Sequence, residues 1–480
     1  MRRVEPRRVS AVYVDMMPPP DLSKLSEAEK DCLILNLWPL AERVQELMRL
    51  VEALQARIAA LEAQLGEPPK TSDNSSQPPS SDRKADRPAK GERTGPRAGS
   101  VGRKGGGRLL CAEPDEIIVA KARACAHCGT GLGEADQVRH GRYDKIELPP
   151  VRPVVTRVER FAGHCPCCGG VTLAPVPEGL EEGSPFGVSI LAVALYLRFV
   201  HAISYKRLSG LFAHLFALEI SEGALDSLFQ GARSRLDAEV AAILTRLRRA
   251  RVIGSDETTV RVEGRTCWNW VFQNAEVVIH VIRPSRASGV VEEVLDGHRP
   301  QIWVSDLYSA QIGHAEEWQV CLAHQVRDLQ YAIDAGDTVF APRMKRLLLR
   351  AVAYNRRRTV LSEATRREYR RRLERDLDPI LASAPTNPHG KRLRKRYLKY
   401  RDNLFTFLTY PEAPADNNGS ERDLRPMALY RKVTGGFRST WGADLCAAAK
   451  SVIGTAQRQG IDAYQALLMV LSGRSLFQTG

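Results

Sequence analysis

The sequence contains no apolar run long enough to cross a membrane. Its most apolar stretch, residues 188–202, is interrupted by Arg198 and His201 and falls short of the roughly 20 residues that a spanning helix needs. The N-terminus is basic but lacks the apolar segment that follows such residues in a secretory signal. We therefore expect a cytoplasmic protein with no membrane partner.

Acidic residues are in short supply. The 480 residues include 56 Asp and Glu against 70 Lys and Arg, which gives a net charge of +14. The surplus could serve solubility alone, but it is clustered: residues 343–401 hold 20 Lys or Arg and 5 Asp or Glu. This density favours contact with a phosphate backbone, so we expect double-stranded DNA as a partner and a location at the nucleoid.

Cysteine is uncommon outside one region. Of the 10 cysteines, four form two Cys-x-x-Cys pairs, Cys125 with Cys128 and Cys165 with Cys168. In a reducing compartment such pairs are more often metal ligands than disulfides, and two intervening residues let a tight turn aim both thiolates at one ion. The pattern predicts one structural Zn²⁺ held by four thiolates, with Cys167 as a spare.

The segment between the two cysteine pairs is long for a zinc ribbon. It contains strand-forming stretches at 144–148 and 154–161. We expect these stretches to pair and bring the two turns together, which makes residues 109–178 a zinc-binding β module.

The N-terminal region divides by composition. Residues 1–30 are Pro-rich, charged and without periodicity, which predicts disorder, and the polar, basic stretch 67–108 predicts a disordered linker. Between them, residues 31–66 carry apolar residues at alternating steps of four and three. The stripe comprises Leu40, Val44, Leu47, Val51, Leu54, Ile58, Leu61 and Leu65.

This stripe predicts a coiled-coil helix that associates with a second copy of the chain, and packing against the chain's own body is the alternative. We expect Pro39 to break or kink the helix.

Residues 184–250 have a helical period. Two helices at 205–216 and 222–233 are separated by a short turn, with Ser221 as the N-cap of the second. The pattern is typical of a helix-turn-helix, with Lys206 and Arg207 as candidate DNA contacts, and a generic helical hairpin is the alternative.

From Arg251 onward the pattern changes to strands. Strand-like segments occur at 252–262, 267–273, 277–282 and 301–305, with a further one at 319–324 that His324 would close. A short helix is predicted at 289–295. The fold class is α/β: a mixed sheet flanked by helices in residues 251–440, with a helical insertion at 325–415, and a helical segment at 441–480.

Three acidic residues are candidates for chemistry. Asp256 and Asp306 each end an apolar run, and Glu421 lies in a polar, Arg-rich segment. Carboxylates at the rim of a sheet can converge on divalent ions, and two Mg²⁺ ions support phosphodiester cleavage. A lone Asp is more often a cap or a surface charge, but here both follow strands of one predicted sheet. The adjacent Glu257 points to the other face and ranks second.

Basic residues surround Glu421. We expect four of them to hold phosphates beside the metal site: Arg422, Arg425, Arg431 and Lys432. His324 could position water or phosphate, or be structural.

Taken together, several segments resemble the transposases of the insertion sequence 66 family, which are of the DDE type with a ribonuclease H-like core. The segments are the leucine-rich helix, 74–82, the cysteine pairs, 256–258, 305–308, 321–324, 417–426 and 431–432. The resemblance implies that Asp256, Asp306 and Glu421 form the metal-binding triad. It also implies binding to the inverted repeats at the ends of a mobile element. Leu322, Gln325 and Val326 depart from the expected pattern.

The expected function is Mg²⁺-dependent cleavage at the element ends, followed by attack of the freed 3′-hydroxyl on target DNA. Accessory proteins encoded by the element are further candidate partners. Two alternatives remain: a non-catalytic, zinc-containing DNA-binding regulator, and a ribonuclease H-like nuclease without strand transfer.

Overall fold

The structure is a computed structural model that describes residues 21–65, 67–75, 82 and 108–477. The chain divides into two units, Met1–Pro69 and Lys70–Gly480. Within the described residues, no helix is long and apolar enough to span a bilayer.

The described part of the first unit contains a long helix, α1 (Glu27–Leu65), after a 3₁₀ turn at Leu22–Lys24. Ser26 and Glu29 close a capping box, since the Ser26 amide donates to the Glu29 carboxylate at 2.8 Å and the Glu29 amide donates to the Ser26 hydroxyl at 3.4 Å. The predicted disorder of 1–30 is therefore wrong for residues 22–30, and residues 1–20 lie outside the described part.

Pro39 lies inside α1 without ending it. The predicted break at this position is wrong, because a helix of 39 residues can lose one backbone hydrogen bond and continue on either side. The described part of the apolar stripe is exposed on this helix: Leu40, Val44, Leu47, Val51 and Leu54 are each 51–57% exposed. The side chains of Ile58, Leu61 and Leu65 lie outside the described residues.

The second unit begins with a segment that was expected to be disordered. Asn74 is 5% exposed, and its amide donates to Asp334 at 3.0 Å, while the Ser72 amide donates to Asp82 at 2.8 Å. The predicted disorder of 67–108 is therefore wrong around residues 72–74, because specific polar contacts hold this turn in place. Residues 76–81 and 83–107 lie outside the described part.

The cysteine region contains little regular structure. Strand β1 (Ala162–His164) pairs antiparallel with β2 (Val171–Leu173). The strands expected at 144–148 and 154–161 do not form, and their apolar residues face solvent, with Leu148 94% and Val154 93% exposed. Strand propensity alone did not produce strands here, because none of the described strands pairs with these residues.

Three helices follow: α2 (Val188–Phe199), α3 (Tyr205–Phe216) and α4 (Glu222–Leu247). The Ser221 hydroxyl accepts from the Ala224 amide at 3.1 Å, so the predicted N-cap is confirmed. Buried residues such as Leu208 and Phe229 join these helices to the core of the sheet.

The central sheet has five strands in the order β5-β4-β3-β6-β7. Strands β3 (Val252–Val262), β4 (Arg265–Gln273) and β5 (Val278–Arg283) form an antiparallel meander. Strands β6 (Ile302–Ser305) and β7 (Glu317–Val320) run parallel to β3, after helix α5 (Gly289–Leu295). The predicted mixed sheet with flanking helices is confirmed.

The insertion between β7 and the C-terminal helices is helical. It contains α6 (Leu322–Asp334), α7 (Phe340–Asn355), α8 (Glu363–Ala382), α9 (Pro388–Lys399) and the short α10 (Thr406–Thr409). These helices share a hydrophobic cluster that is separate from that of the sheet. The expected strand at 319–324 ends at Val320, so His324 lies in the first turn of α6 and does not close a strand.

Three helices complete the chain: α11 (Asn418–Thr434), α12 (Thr440–Arg458) and α13 (Ala463–Leu471). Helix α11 packs against β3 and β4, and α12 packs against β5. Gly254 permits the approach of α11, because a Cβ at this position would lie only 3.2 Å from the Ser420 hydroxyl. The first turn of α11 is thereby held against the face of the sheet.

Candidate active site

Strands β3 and β6 bring two aspartates together. Their parallel pairing joins Val252 to Ile302 and Gly254 to Val304. The same register, extended by two residues, places Asp256 opposite Asp306. Neighbouring strands are about 4.8 Å apart and residues in register point to the same face, so the two carboxylates are neighbours.

Asp256 lies within the strand predicted at 252–262, although the apolar run that begins this strand ends at Asp256. The pairing of β3 with β4 continues past Asp256, which is opposite Val271, while the pairing with β6 stops at Gly254. Asp256 therefore occupies a rigid strand at the point where the neighbouring strand has ended and left space. Asp306 directly follows β6, as predicted.

Glu421 reaches the same face from the first turn of α11. The buried Asn417 amide donates to the Ser255 carbonyl at 2.7 Å, which fixes the start of the helix over β3. The polar segment predicted from the sequence is therefore a helix start, and the charge of Glu421 acts on Asp256.

The charges of these acids oppose one another. The pKa of Asp256 is raised well above its ordinary value, first by burial and then by the carboxylates of Asp306, Glu257 and Glu421. The Glu257 amide, which donates to Asp256 at 2.9 Å, offsets only part of this effect. A cation beside Asp256 would relieve the repulsion.

Two side chains of α6, Arg327 and His324, contact Glu421, and the sequence analysis assigned no role to Arg327. Arg327 Nη2 lies 3.0 Å from Glu421 Oε1, and His324 Nε2 lies 3.6 Å from the same oxygen. Burial, together with Arg327, lowers the pKa of His324. Its Nδ1 is buried and has no hydrogen-bond partner among the described residues.

Glu257 belongs to a separate network on the other face of β3. Its side chain is 1% exposed and pairs with Arg286 at 2.6 Å, and Gln311 donates to it at 2.7 Å. The Arg286 guanidinium lies 3.7 Å from the centre of the Tyr308 ring. Sequence reasoning separated Glu257 from the triad by strand alternation, but it missed Arg286 and Gln311.

The donor set of the triad suits a hard divalent ion, since all three side chains offer carboxylate oxygens. Among the described residues, however, no group of three or more His, Cys, Asp and Glu side chains is arranged to hold a metal ion. The two aspartates are adjacent, while Glu421 is paired with Arg327. The three carboxylates fit Mg²⁺ in chemistry and charge, but the carboxylate of Glu421 forms an ion pair with Arg327.

Each cysteine pair forms the same tight turn. The Cys125 amide donates to Thr130 at 2.8 Å and the Gly129 amide donates to Cys125 at 2.9 Å, and the same two bonds recur from Cys165 to Gly170 and from Gly169 to Cys165. Gly129 and Gly169 adopt φ of +77° and +70°, which favours glycine at both positions.

The thiols within each turn lie close together. The pKa of Cys128 is lowered by hydrogen bonds from Thr130 and Cys125, and that of Cys165 by the amides of Cys168 and Cys167. Thiolates are the form that binds zinc. The structure thus forms two knuckles, but in its described part it does not gather four thiolates around one point.

The predicted DNA contacts differ in exposure. Lys206 and Arg207 are exposed at the start of α3, and Arg422, Arg425 and Lys432 are exposed on α11. By contrast, the guanidinium of Arg431 donates to the Thr259 hydroxyl at 2.7 Å and so anchors α11 to β3. Tyr430, the residue before Arg431, is buried in the core.

Comparison with protein families identifies the chain as a transposase. The model described as Transposase IS66 family matches residues 183–445, which include the sheet, the triad candidates and the helical insertion. The match covers more than half of the 480 residues, and the chain belongs to this family. Residues 17–107 match a family of unknown function (DUF6444). A search of curated proteins found no match.

Proposed function

We propose that the protein is a Mg²⁺-dependent DDE transposase that cleaves at the ends of a mobile element and joins the freed 3′-hydroxyl to target DNA. The observation that supports this proposal is the strand register that sets Asp256 beside Asp306, with Glu421 on the helix that packs over the same strand, in a chain of a transposase family. The five-stranded mixed sheet with α11 across it is consistent with a ribonuclease H-like core.

The three acids would hold the metal. Asp256 on β3 and Asp306 after β6 would hold the ions together with Glu421. When bound, the ions would neutralise the charge that develops at the phosphate during in-line displacement. The charge repulsion at Asp256 is the structural feature that favours this occupancy.

Two residues of α6 would act beside the acids. Arg327 would exchange its contact with Glu421 for a phosphate oxygen when the carboxylate turns to the metal, because a guanidinium binds either anion through the same donors. His324 is held neutral by burial, so its ring can orient water or phosphate oxygen by hydrogen bonding without adding charge.

DNA binding would use the exposed basic residues. Lys206 and Arg207 would contact the backbone from α3, and Arg422, Arg425 and Lys432 would do so beside the acids. The basic helices of the insertion would add further contacts to phosphates. Arg431 could join these contacts only by giving up its bond to Thr259.

Two accessory functions complete the proposal. The knuckles of Cys125, Cys128, Cys165 and Cys168 would bind one structural Zn²⁺, and the exposed stripe of α1 would form a coiled coil with a second copy. For the coiled coil, the supporting observation is that five consecutive stripe residues are half exposed on a continuous helix. Such a surface is stabilised by burial against an equal partner.

The test is strand transfer by purified full-length protein with Mg²⁺ and DNA carrying candidate element ends. We expect Asp256→Asn, Asp306→Asn and Glu421→Gln each to reduce joined products by more than about 100-fold, as removal of an electrostatic stabiliser does. Asp402→Asn is the matched control, because Asp402 is 91% exposed and its ion pair with Arg401 is long, at 3.9 Å.

Two outcomes would contradict the proposal. Binding without nicking, unchanged in the triad variants, would indicate a DNA-binding regulator. Metal-dependent nicking that never yields joined products would indicate a nuclease.

A further inference from the structure

A large polar groove lies on the other side of the first turn of α11 from the acids. Its volume is about 1410 Å³, and Arg422 and Asp423, the residues directly after Glu421, line it. The remaining walls come from the ends of α4, β4, α7 and α12, from strands β3 and β6, from residues 412–416 before α11, and from residues 475–477. We refer to this cavity as the arginine groove.

Arginine dominates the charge of this groove. Six arginines line it against four acids; the arginines are Arg246, Arg249, Arg251, Arg358, Arg422 and Arg458, and the acids are Glu276, Glu412, Asp416 and Asp423. Among the described residues of the lining, two ion pairs neutralise part of this positive charge: Arg251 with Glu412 at 3.2 Å, and Arg458 with Asp423.

The other arginines are available to a ligand. Arg249 and Arg422 are exposed and form no ion pair among the described residues, and Arg246 lies 4.0 Å above the ring of Phe477. Burial lowers the pKa of Arg358, whose Nε is buried without a hydrogen-bond partner in the described part. An anion in the groove would satisfy these donors.

The size and position of the groove indicate an extended anion. Pockets for small ligands are usually about 300–1,000 Å³, and this groove is larger, with mostly polar or charged residues along its walls. Gly254 and Val304 also line it, and each lies two residues before one of the aspartates on the same strand. A chain of phosphates in the groove would thus continue toward the acids.

We propose that the arginine groove binds the sugar–phosphate backbone of the DNA strand adjoining the scissile phosphate. This assignment rests on the proposed transposase function. The guanidinium groups would contact successive phosphates without reading sequence, so the groove would position the strand rather than select it.

The experiment measures binding of full-length protein to an element-end duplex in EDTA, over a series of salt concentrations. In a triple variant, Arg246→Gln, Arg249→Gln and Arg422→Gln, the slope of log K against log salt should become shallower by about 2–3, since each phosphate contact contributes about 0.9. The matched control replaces Arg139, Arg142 and Arg265, three exposed arginines outside the groove, by Gln.

Restoring charge provides a second arm. Lys at the three groove positions should return most of the slope, whereas a merely structural defect would not be repaired in this way. Hydroxyl-radical footprints should lose protection only beside the cleavage position.

The outcomes separate this proposal from the one on which it rests. If the triple variant keeps the wild-type slope, or if the control loses as much, the groove assignment is wrong even though wild-type protein cleaves and joins DNA. If wild-type protein neither binds nor cleaves the duplex, both proposals fail. Loss of slope in the groove variant alone supports the assignment.

Discussion

Arg327 Nη2 lies 3.0 Å from Glu421 Oε1, across 94 residues of sequence, so the third acid of the proposed triad is paired with a cation. Arg327→Ala should therefore tighten divalent-ion binding. We expect a decrease in the Kd for Mn²⁺ of about 5- to 10-fold, toward the low end for a charged hydrogen bond because both side chains are partly exposed, at 23% and 22%. Calorimetric titration of metal into the DNA-free protein measures this.

For the same pair, Glu421→Gln should weaken Mn²⁺ binding, and Arg327→Lys should lie close to wild type. Equal Kd values for wild type and Arg327→Ala would show that the pair does not compete with metal.

Zinc content should depend on four cysteines and not on the fifth. Cys125→Ser and Cys165→Ser should each reduce bound zinc from about one ion per chain to near zero, because loss of one thiolate removes a corner of the tetrahedron. Elemental analysis of purified protein by mass spectrometry gives the content. Cys167→Ser is the control within the same knuckle and should retain zinc; zinc retained in all three variants would disprove the four-thiolate site.

Self-association should depend on the apolar stripe of α1. Leu47→Gln combined with Val51→Gln should weaken dimerisation by at least about 100-fold, since each buried aliphatic side chain contributes about 1.5–3 kcal/mol. Sedimentation equilibrium measures the dissociation constant. Arg49→Gln, on the same turn but off the stripe, should leave it unchanged, and a monomeric wild-type protein would rule out the coiled coil.

Acid sensitivity should arise from His280, which is buried in β5. Burial, with Lys450 and Arg458 nearby, lowers its pKa from 6.5 to about 3. The unfolded chain therefore binds the proton first as pH falls below about 6.5, and the folded protein loses stability from there down toward pH 3. Between pH 6.5 and 5 the loss should be about 2 kcal/mol, at about 1.4 kcal/mol per pH unit.

Denaturant unfolding at several pH values tests this point. His280→Gln should flatten the dependence in that range, whereas replacement of the exposed His140 should preserve it. An unchanged slope in His280→Gln would assign the acid sensitivity to other groups.

The Glu257–Arg286 pair should contribute to stability rather than to chemistry. Arg286→Ala leaves a carboxylate that is 1% exposed without its cation, and we expect a loss of about 2–3 kcal/mol, less than for a fully buried pair because Arg286 is 37% exposed. Adding Glu257→Gln to this variant should recover part of the loss. Thermal unfolding of the two variants checks this, and a double variant less stable than Arg286→Ala would contradict it.

The sheet was largely predictable because its strands carry their own signals. Residues 252–262 and 278–283 are rich in β-branched side chains, and β3, β4 and β5 follow one another in the chain, so the meander needs only local turns. Residues 154–161 have a similar composition but do not form a strand. A strand needs a partner strand, and the local sequence does not show whether one will be in place. The passage from β7 to α6 was also misjudged, since Cys321 offers no capping side chain to mark the start of the helix.

The candidate site was predictable in its acids but not in its cations. Asp256 and Asp306 follow similar apolar runs. The register of β3 with β6 places the two residues opposite one another. Arg327 and Arg286 pair with acids 94 and 29 residues away, and no spacing rule connects positions that meet only through packing of helices and loops.

The amide of Leu322 donates to the carbonyl of Ala415 at 2.9 Å, so the path that leaves the sheet for the insertion returns to it at nearly the same point. The residues between these two positions therefore form an insertion whose two ends meet beside the sheet. Evolution could therefore exchange, shorten or enlarge this insertion as a cassette without changing the positions of Asp306 and Glu421 in space. A protein engineer could use the same two anchor residues as graft points for a foreign targeting module.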